Sequence, residues 1–288
     1  EGRALLIDLD TQRLVKDTRV DKNPGDIRLT PDGRTLLVSH FDLVKVNEAA
    51  AKQVFTGPDV DARLGTIDVA TMERGPFVTI CPAPHGIAIT SDSSTVIASC
   101  LSDEAAVVDL AAVRAGDVSG AVVTRIPLID VPGTAARPTC SPYATTLSND
   151  DRTAWISCYA SGQLVAVDVD TRTRGVTLEL PGLAVFGDYS DLGDRFAIAT
   201  QDTDGVVILD DNGDGTASVA RFVPFSPDIC ALPHTAHWLE DDTRIVVVCE
   251  GNKVDVGALV VVDADSGALI GRVPLGLFPD DVAIQEKP

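Results

Sequence analysis

The chain has little aromatic content, 5 %, and little positive charge. Only 23 Lys and Arg stand against 43 Asp and Glu, giving a formal net charge of −20 over 288 residues and a pI near 4.4. Nucleic acid and anionic membrane surfaces would be repelled, which argues against both as partners and makes cations or basic surfaces the natural company, unless the acidity only keeps the protein soluble. No apolar run reaches 18 residues, so no helical membrane span is expected. There is no G-x-S-x-G elbow, P-loop, H-E-x-x-H pair or dinucleotide fingerprint, so the common hydrolase, nucleotide and zinc-peptidase signatures are missing. No secretory leader is recognisable, as expected of a mature or trimmed chain. Asn-x-Ser/Thr sequons are also absent, which with the Ala/Val/Arg/Asp-rich usage is compatible with a bacterial source.

Repetition is what the chain does have. A unit of about 45 to 50 residues recurs about five times. Its copies read PGDIRLTPDGRTLLVSH from Pro24, PHGIAITSDSSTVIASC from Pro84, PYATTLSNDDRTAWISC from Pro142 and PHTAHWLEDDTRIVVVC from Pro233, with a divergent VFGDYSDLGDRFAIAT from Val185. A second strand pair follows each, such as GTIDVATMERGPFVTI or ALVVVDADSGALIGRVPL. Four short strands per repeat predict an all-β, six-bladed β-propeller formed by residues 1–288 as a single domain. RALLIDLDTQRLVKDTRV near the N-terminus reads as the last two strands of a blade, and Asp281 to Gln285 as a lone first strand. Together they predict one blade split between the two termini. Its second strand is missing, which leaves three readings: a longer natural chain, a strand donated by another chain in an assembly, or a three-stranded blade.

The six cysteines fall into the pairs Cys81/Cys100, Cys140/Cys158 and Cys230/Cys249 at one repeat position. The first member precedes the first strand of a blade and the second ends its antiparallel neighbour, so the sulfurs can meet in three disulfides within blades. An oxidising compartment follows: periplasm, cell surface or medium. Without a C-x-x-C pair, and with the cysteines spread over three blades, a zinc site is the weaker reading.

Aligned at the start of the first strand, the repeats place Gly25, His85, Tyr143, Val185, His234 and Asp280 at one position around the expected channel mouth. His40 takes the place of the second cysteine in its own repeat, and His237 falls on the other side of its strand, packed between blades. His85 and His234 are candidate transition-metal ligands or bases, Asp280 a candidate orienter of His234, and Tyr143 a proton donor. The bland alternative is that Pro-His and Pro-Tyr complete a turn and bond neighbouring loops. In the hairpin DDNGDGTAS, Asp210, Asn212 and Asp214 alternate ahead of Gly215, which suits a structural calcium loop as well as an ordinary tight turn. The excursion from Phe41 to Leu64 is several times longer than its counterparts, which suits a specificity loop or a small packed flap.

The repeat in IRLTPDGRTLLVSH with GTIDVAT, and VAVDVDTRTRGVTLELPG, resembles the YVTN-type (YncE-like) bacterial β-propeller repeats over nearly the whole chain. That resemblance implies the propeller fold and a group containing secreted or surface proteins, lactonase-like enzymes and propeller subunits of quinoprotein dehydrogenases. No catalytic set of that group maps residue by residue onto this chain. The leading expectation is an extracytoplasmic binding or scaffold module, holding a protein or small ligand at the channel mouth. The alternatives are a metal-assisted, lactonase-like hydrolase or redox-associated propeller, and a surface-assembly building block joined through the split blade.

Overall fold

The computed structural model describes residues 2–284, which hold 22 strands and two short helices. The chain resolves into two compact units, Glu1–Thr145 and Thr146–Pro288.

In the first unit, β1 (Gly2–Asp8) and β2 (Arg13–Val20) form a hairpin. Two antiparallel four-stranded meanders follow in chain order. One contains β3 (Pro24–Leu29), β4 (Thr35–His40), β5 (Asp61–Asp68) and β6 (Arg74–Pro82), with helix α1 (Leu43–Ala51) between β4 and β5. The other contains β7 (Pro84–Ile89), β8 (Thr95–Cys100), β9 (Glu104–Asp109) and β10 (Val122–Pro127), with α2 (Leu110–Arg114) after β9. The chain enters the second unit along β11 (Pro142–Leu147), the first strand of a sheet continued by β12 (Thr153–Cys158), β13 (Gln163–Asp168) and β14 (Thr173–Glu179). Two further meanders are β15 (Leu183–Tyr189) to β18 (Ala217–Pro224), through β16 (Arg195–Gln201) and β17 (Gly205–Asp211), and β19 (Pro233–Trp238) to β22 (Leu269–Pro274), through β20 (Arg244–Cys249) and β21 (Ala258–Asp263).

The repeat is legible in the turns. Between the first two strands of each four-stranded sheet the fourth turn residue has positive φ: Gly33, Ser93, Asp151, Gly193 and Asp242. In the first such turn Thr30 N–H donates to Thr35 C=O at 2.9 Å, and Thr35 N–H donates to the Thr30 hydroxyl at 3.0 Å. The same bonds recur at Thr90/Thr95 and Ser148/Thr153, which explains the Thr/Ser that opens these turns. Four first strands are entered through a residue with positive φ just before their proline: Asn23, Ala83, Ser141 and Leu232.

Second and third strands are mostly buried, and the fourth strands of the second unit face water. All six residues of β12 are buried, whereas β14 and β22 are mostly exposed. The core is aliphatic, as the low aromatic content requires. In the first unit Leu37, Leu64, Ile80, Ile87, Val96 and Val108 pack with α2 residues Leu110 and Val113. In the second unit Ile208, Ile245, Val247 and Val260 pack with Trp238, and Trp155 stacks on Phe196.

Five of the six expected repeats are thus four-stranded sheets, and the N-terminal piece is the expected strand pair. The lone strand expected at Asp281 to Gln285 is a correction: residues 281–284 have no strand structure, and Gln285 lies outside the described residues. Asp281 is engaged otherwise, its Oδ1 accepting from its neighbour Val282 N–H and meeting His237 at 2.8 Å.

Candidate functional site

Register explains why cysteines and histidines gather at one end of each sheet. The first residue of the first strand lies opposite the last residue of the second: Pro24 faces His40, Pro84 faces Cys100, Leu183 faces Gln201 and Pro233 faces Cys249. A residue three positions earlier can then bond across. Cys81–Cys100 and Cys230–Cys249 do so as disulfides with Cα separations of 5.9 and 5.2 Å. Cys140 and Cys158 are also disulfide-bonded, and no described cysteine is free.

The histidine that replaces cysteine performs the same tie with hydrogen bonds. His40 Nε2 accepts from Asp21 N–H at 3.1 Å, Asp21 standing where Cys81 and Cys230 stand in their repeats. Its Nδ1–H donates to Arg63 C=O at 2.6 Å. One nitrogen accepting and the other donating defines a neutral imidazole, and burial holds its pKa below the usual value.

His85 and Tyr143 come together in the first unit. Their rings stack with centroids 4.0 Å apart, and His85 Nδ1 lies 3.1 Å from Tyr143 C=O. Phe41, the first residue of the long excursion, meets His85 edge-on at 4.6 Å. The excursion itself is a packed flap. Asp42 caps α1 by accepting from Lys45 N–H, and Val46, Ala49 and Val60 pack with Ala83, Leu101 and Ala135. One buried carboxylate holds the segment that delivers Tyr143. Asp103 accepts four backbone N–H groups, from Gly133 and Thr139 on one oxygen (2.7 and 2.8 Å) and Cys140 and Ser141 on the other (2.9 and 3.0 Å).

His234 lies in the second unit, where it is 3 % exposed. Its Nδ1 meets Asp280 C=O at 2.8 Å, and its Nε2 lies 3.6 Å from Glu250 Oε1. Asp280 was expected to orient His234 through its carboxylate. The backbone carbonyl does so instead, the carboxylate being 3.5 Å away and 69 % exposed. Around this pair, Tyr159 donates its hydroxyl to Gln201 Oε1 at 2.9 Å, and Gln201 Nε2 donates to Pro233 C=O at 3.1 Å. Burial raises the pKa of Glu250, and burial with the charges of Glu250, Asp202 and Asp204 raises that of Tyr159. Tyr159, Gln201 and Glu250 went unnoticed in the sequence. Their signal was present: Gln201 holds the second-cysteine position of its repeat, and Tyr159 and Glu250 each follow that cysteine directly.

His237 is not simply packed between sheets. Its Nδ1 lies 3.3 Å from Asp188 Oδ2 and its Nε2 2.8 Å from Asp281 Oδ1. Burial disfavours its charge, yet the two carboxylates outweigh burial and lift its pKa to about 9.

The residues proposed for calcium are not gathered into one cage. Strand alternation puts Asp210 and Asp211 on opposite faces of β17, and Asp211, not Asp210, lines the cavity beside the hairpin. Asp214 Oδ1 accepts from both the N–H and hydroxyl of Thr216, and Asn212 Nδ2 donates to the same hydroxyl. Gly213 and Gly215 both have positive φ, the backbone need that the tight-turn reading anticipates. No group of three or more His, Cys, Asp or Glu converges as a metal cage would among the described residues. His85 and His234 belong to different units, and each is held by the contacts given above.

No family model and no curated protein sequence matches the chain. Solved structures do. Hydrazine synthase of Kuenenia stuttgartiensis superposes with a TM-score of 0.72 at 16 % identity, over 96 % of this chain and 82 % of that one. The periplasmic gluconolactonase of Pseudomonas aeruginosa gives 0.66 at 17 % identity, over 97 % and 78 %. The β-propeller domain of Myceliophteria thermophila Cps50 gives 0.66 at 14 % identity, over 94 % and 80 %. The fold is that of a β-propeller. At such identities the likeness extends to the fold alone, because a propeller carries many unrelated activities. In propeller terms the five four-stranded sheets are blades, and the β1–β2 hairpin represents a sixth.

Proposed function

We propose that this protein is an extracytoplasmic, YVTN-type propeller that works as a binding or scaffold module, holding its partner through the excursion between β4 and β5. The observation that carries this reading is the build of α1. Its inner side is anchored by Val46 and Ala49, while Leu43, Val44 and Phe55 on the same excursion stay exposed, Val44 to 55 %. Exposed apolar side chains on a rigidly anchored element suit a protein-binding surface, since an ordered surface loses little entropy on docking. The histidines support the same reading, as His40, His85 and His234 each have a ring nitrogen against a backbone carbonyl. The disulfides support the extracytoplasmic part of this reading, since such bonds persist in oxidising compartments.

The test is chemical cross-linking in the native host, comparing wild type with Val44→Asp/Phe55→Ser. A defined partner cross-linked to wild type and lost in the variant supports the reading. An identical cross-linking pattern in both overturns it.

A second reading has its own observation. His234 and Glu250 form a buried imidazole–carboxyl pair beside Tyr159 and Gln201, and burial raises the Glu250 pKa, as pKa-perturbed pairs at acid–base sites do. This pair would serve lactone hydrolysis, the activity named for the Pseudomonas aeruginosa protein. Gluconolactone hydrolysis that disappears in both His234→Ala and Glu250→Gln would favour it over the binding role.

A further inference from the structure

Although the chain's net charge is −20, a cavity among its described residues is lined largely by cations. It lies in the first unit, has a volume of about 410 Å³, and is formed where β2, the following turn, the end of β4, the start of α1, β5 and β6 meet. Arg19, Lys22, Lys45, Arg63 and Arg74 line it, with Asp21 and Asp42 as its only acids. Lys and Arg supply 23 of 288 residues, so ten residues drawn at random would carry about one, and the ten lining this cavity carry five.

Both acids are already engaged. Asp21 Oδ2 is held by Arg63 at 2.5 Å and its Oδ1 by Arg74 at 3.3 Å. Asp42 Oδ1 caps α1 and accepts from Asn23 Nδ2. Lys45 lies near the Asp61 carboxylate, which Arg125 also attracts, whereas Lys22 gains no compensating charge. Lys45 Nζ donates to the neutral carbonyls of Pro58 and Asp61, and Lys22 has no side-chain partner among the described residues. His40 adds none, being neutral with its Nε2 accepting.

Two guanidiniums are pre-set for a ligand. Arg74 lies over the Phe77 ring at 3.6 Å and Arg63 at 5.4 Å, which fixes their planes before anything binds. Asp21 engages Nε and one Nη of Arg63 and one Nη of Arg74, so further N–H groups remain on both forks. A fork of this kind matches the paired oxygens of a carboxylate or phosphate.

We propose that this cavity binds a small molecule carrying a carboxylate or phosphate group, of the size of a dicarboxylic acid or a sugar phosphate. The charge balance sets the size. At long range the protein repels anions and turns away polyanions, while inside the cavity the local excess of positive charge dominates. Only a compact anion that fits within the walls gains the second effect without a large share of the first. The inference does not depend on the partner-holding role of α1.

Isothermal titration calorimetry on the oxidised full chain at low ionic strength tests it, with inorganic phosphate, citrate and glucose 6-phosphate as separate probes. At least one probe should bind with 1:1 stoichiometry, and whether citrate or the phosphates bind identifies the oxyanion. Lys22→Glu should weaken that binding about tenfold or more without altering thermal stability, because Lys22 supports nothing inside the protein. Arg74→Gln should weaken it similarly, and Arg13→Glu, on the hairpin but outside the cavity, should leave it unchanged. No binding by any probe at millimolar concentration overturns the proposal. So does wild-type affinity in both cavity variants, or an equal loss in Arg13→Glu, which would reveal a diffuse charge effect.

Discussion

Replacing Asp103 by Asn should cost the first unit far more than an isosteric change at a surface site. The Asp103 side chain is fully buried, and its two oxygens accept from Gly133, Thr139, Cys140 and Ser141. Asn can present its one oxygen to two of these donors, but its NH₂ must then face the other two, leaving two buried N–H groups without an acceptor. Each such loss costs about 1–3 kcal/mol, so a total of about 3 kcal/mol or more is expected after some relaxation of the segment. Backbone strain does not confuse the reading. Asp103 has φ of 61°, a conformation Asn adopts at least as readily. In a thermal scan of the oxidised protein the first unfolding transition should fall by roughly 6–12 °C. Amide exchange at residues 133 and 139–141 should accelerate in the same variant. A variant within 1 °C of wild type with unchanged exchange at these amides would refute the reasoning.

The remaining predictions concern the ties that frame the sites. Cys81→Ser/Cys100→Ser opens a loop of sequence separation 19 and should lower stability by about 3 kcal/mol in the chain-entropy model, read as a shift in the urea midpoint. His237, raised to about 9 by Asp188 and Asp281 against the effect of burial, gives a pH signature. Its folded pKa exceeds its unfolded one, so its contribution is complete below about 6.5 and lost as pH rises through 9, on the order of 2 kcal/mol given the half-exposed carboxylates. Melts at pH 6 and 9.5 should show that loss in wild type and not in His237→Gln. His40 has the opposite sign. Burial lowers its pKa, so its stabilising contribution is present above the unfolded value and lost on acidification, a loss that His40→Gln should remove. The β1–β2 hairpin exposes Leu5, Ile7, Leu14 and Val15 and pairs with no third strand among the described residues. If a second copy adds a strand there, sedimentation equilibrium will show concentration-dependent association that Leu5→Lys/Leu14→Lys abolishes.

The repeat was legible because its devices are local. Thr or Ser at the opening of a turn, a turn-forming residue at its fourth place and alternating apolar strands can all be read within twenty residues. They lead directly to five meanders. The cysteine pairing was legible for a related reason, since an antiparallel register fixes which residue faces which. The site was less so. His85 and Tyr143 were correctly brought together by repeat alignment, and Glu250 reaches His234 within one sheet by following Cys249, but Gln201 and Tyr159 come beside them only through packing of other sheets. The cationic cavity draws on segments more than fifty positions apart, from Arg19 to Arg74, and no local pattern announces it. The Asp281 segment shows the limit of repeat reasoning. DVAIQ alternates like a strand, yet the Asp281 carboxylate is drawn to His237 and residues 281–284 have no strand structure.

On the proposed reading, a disulfide-braced propeller uses its histidines as struts and its loops to bind. A native mass spectrum of the non-reduced protein purified from an oxidising compartment tests it most directly. The account predicts a chain with all six thiols oxidised, carrying a partner or small anion and no transition metal. Free thiols, or a stoichiometric transition metal lost in His85→Ala and His234→Ala, would contradict it.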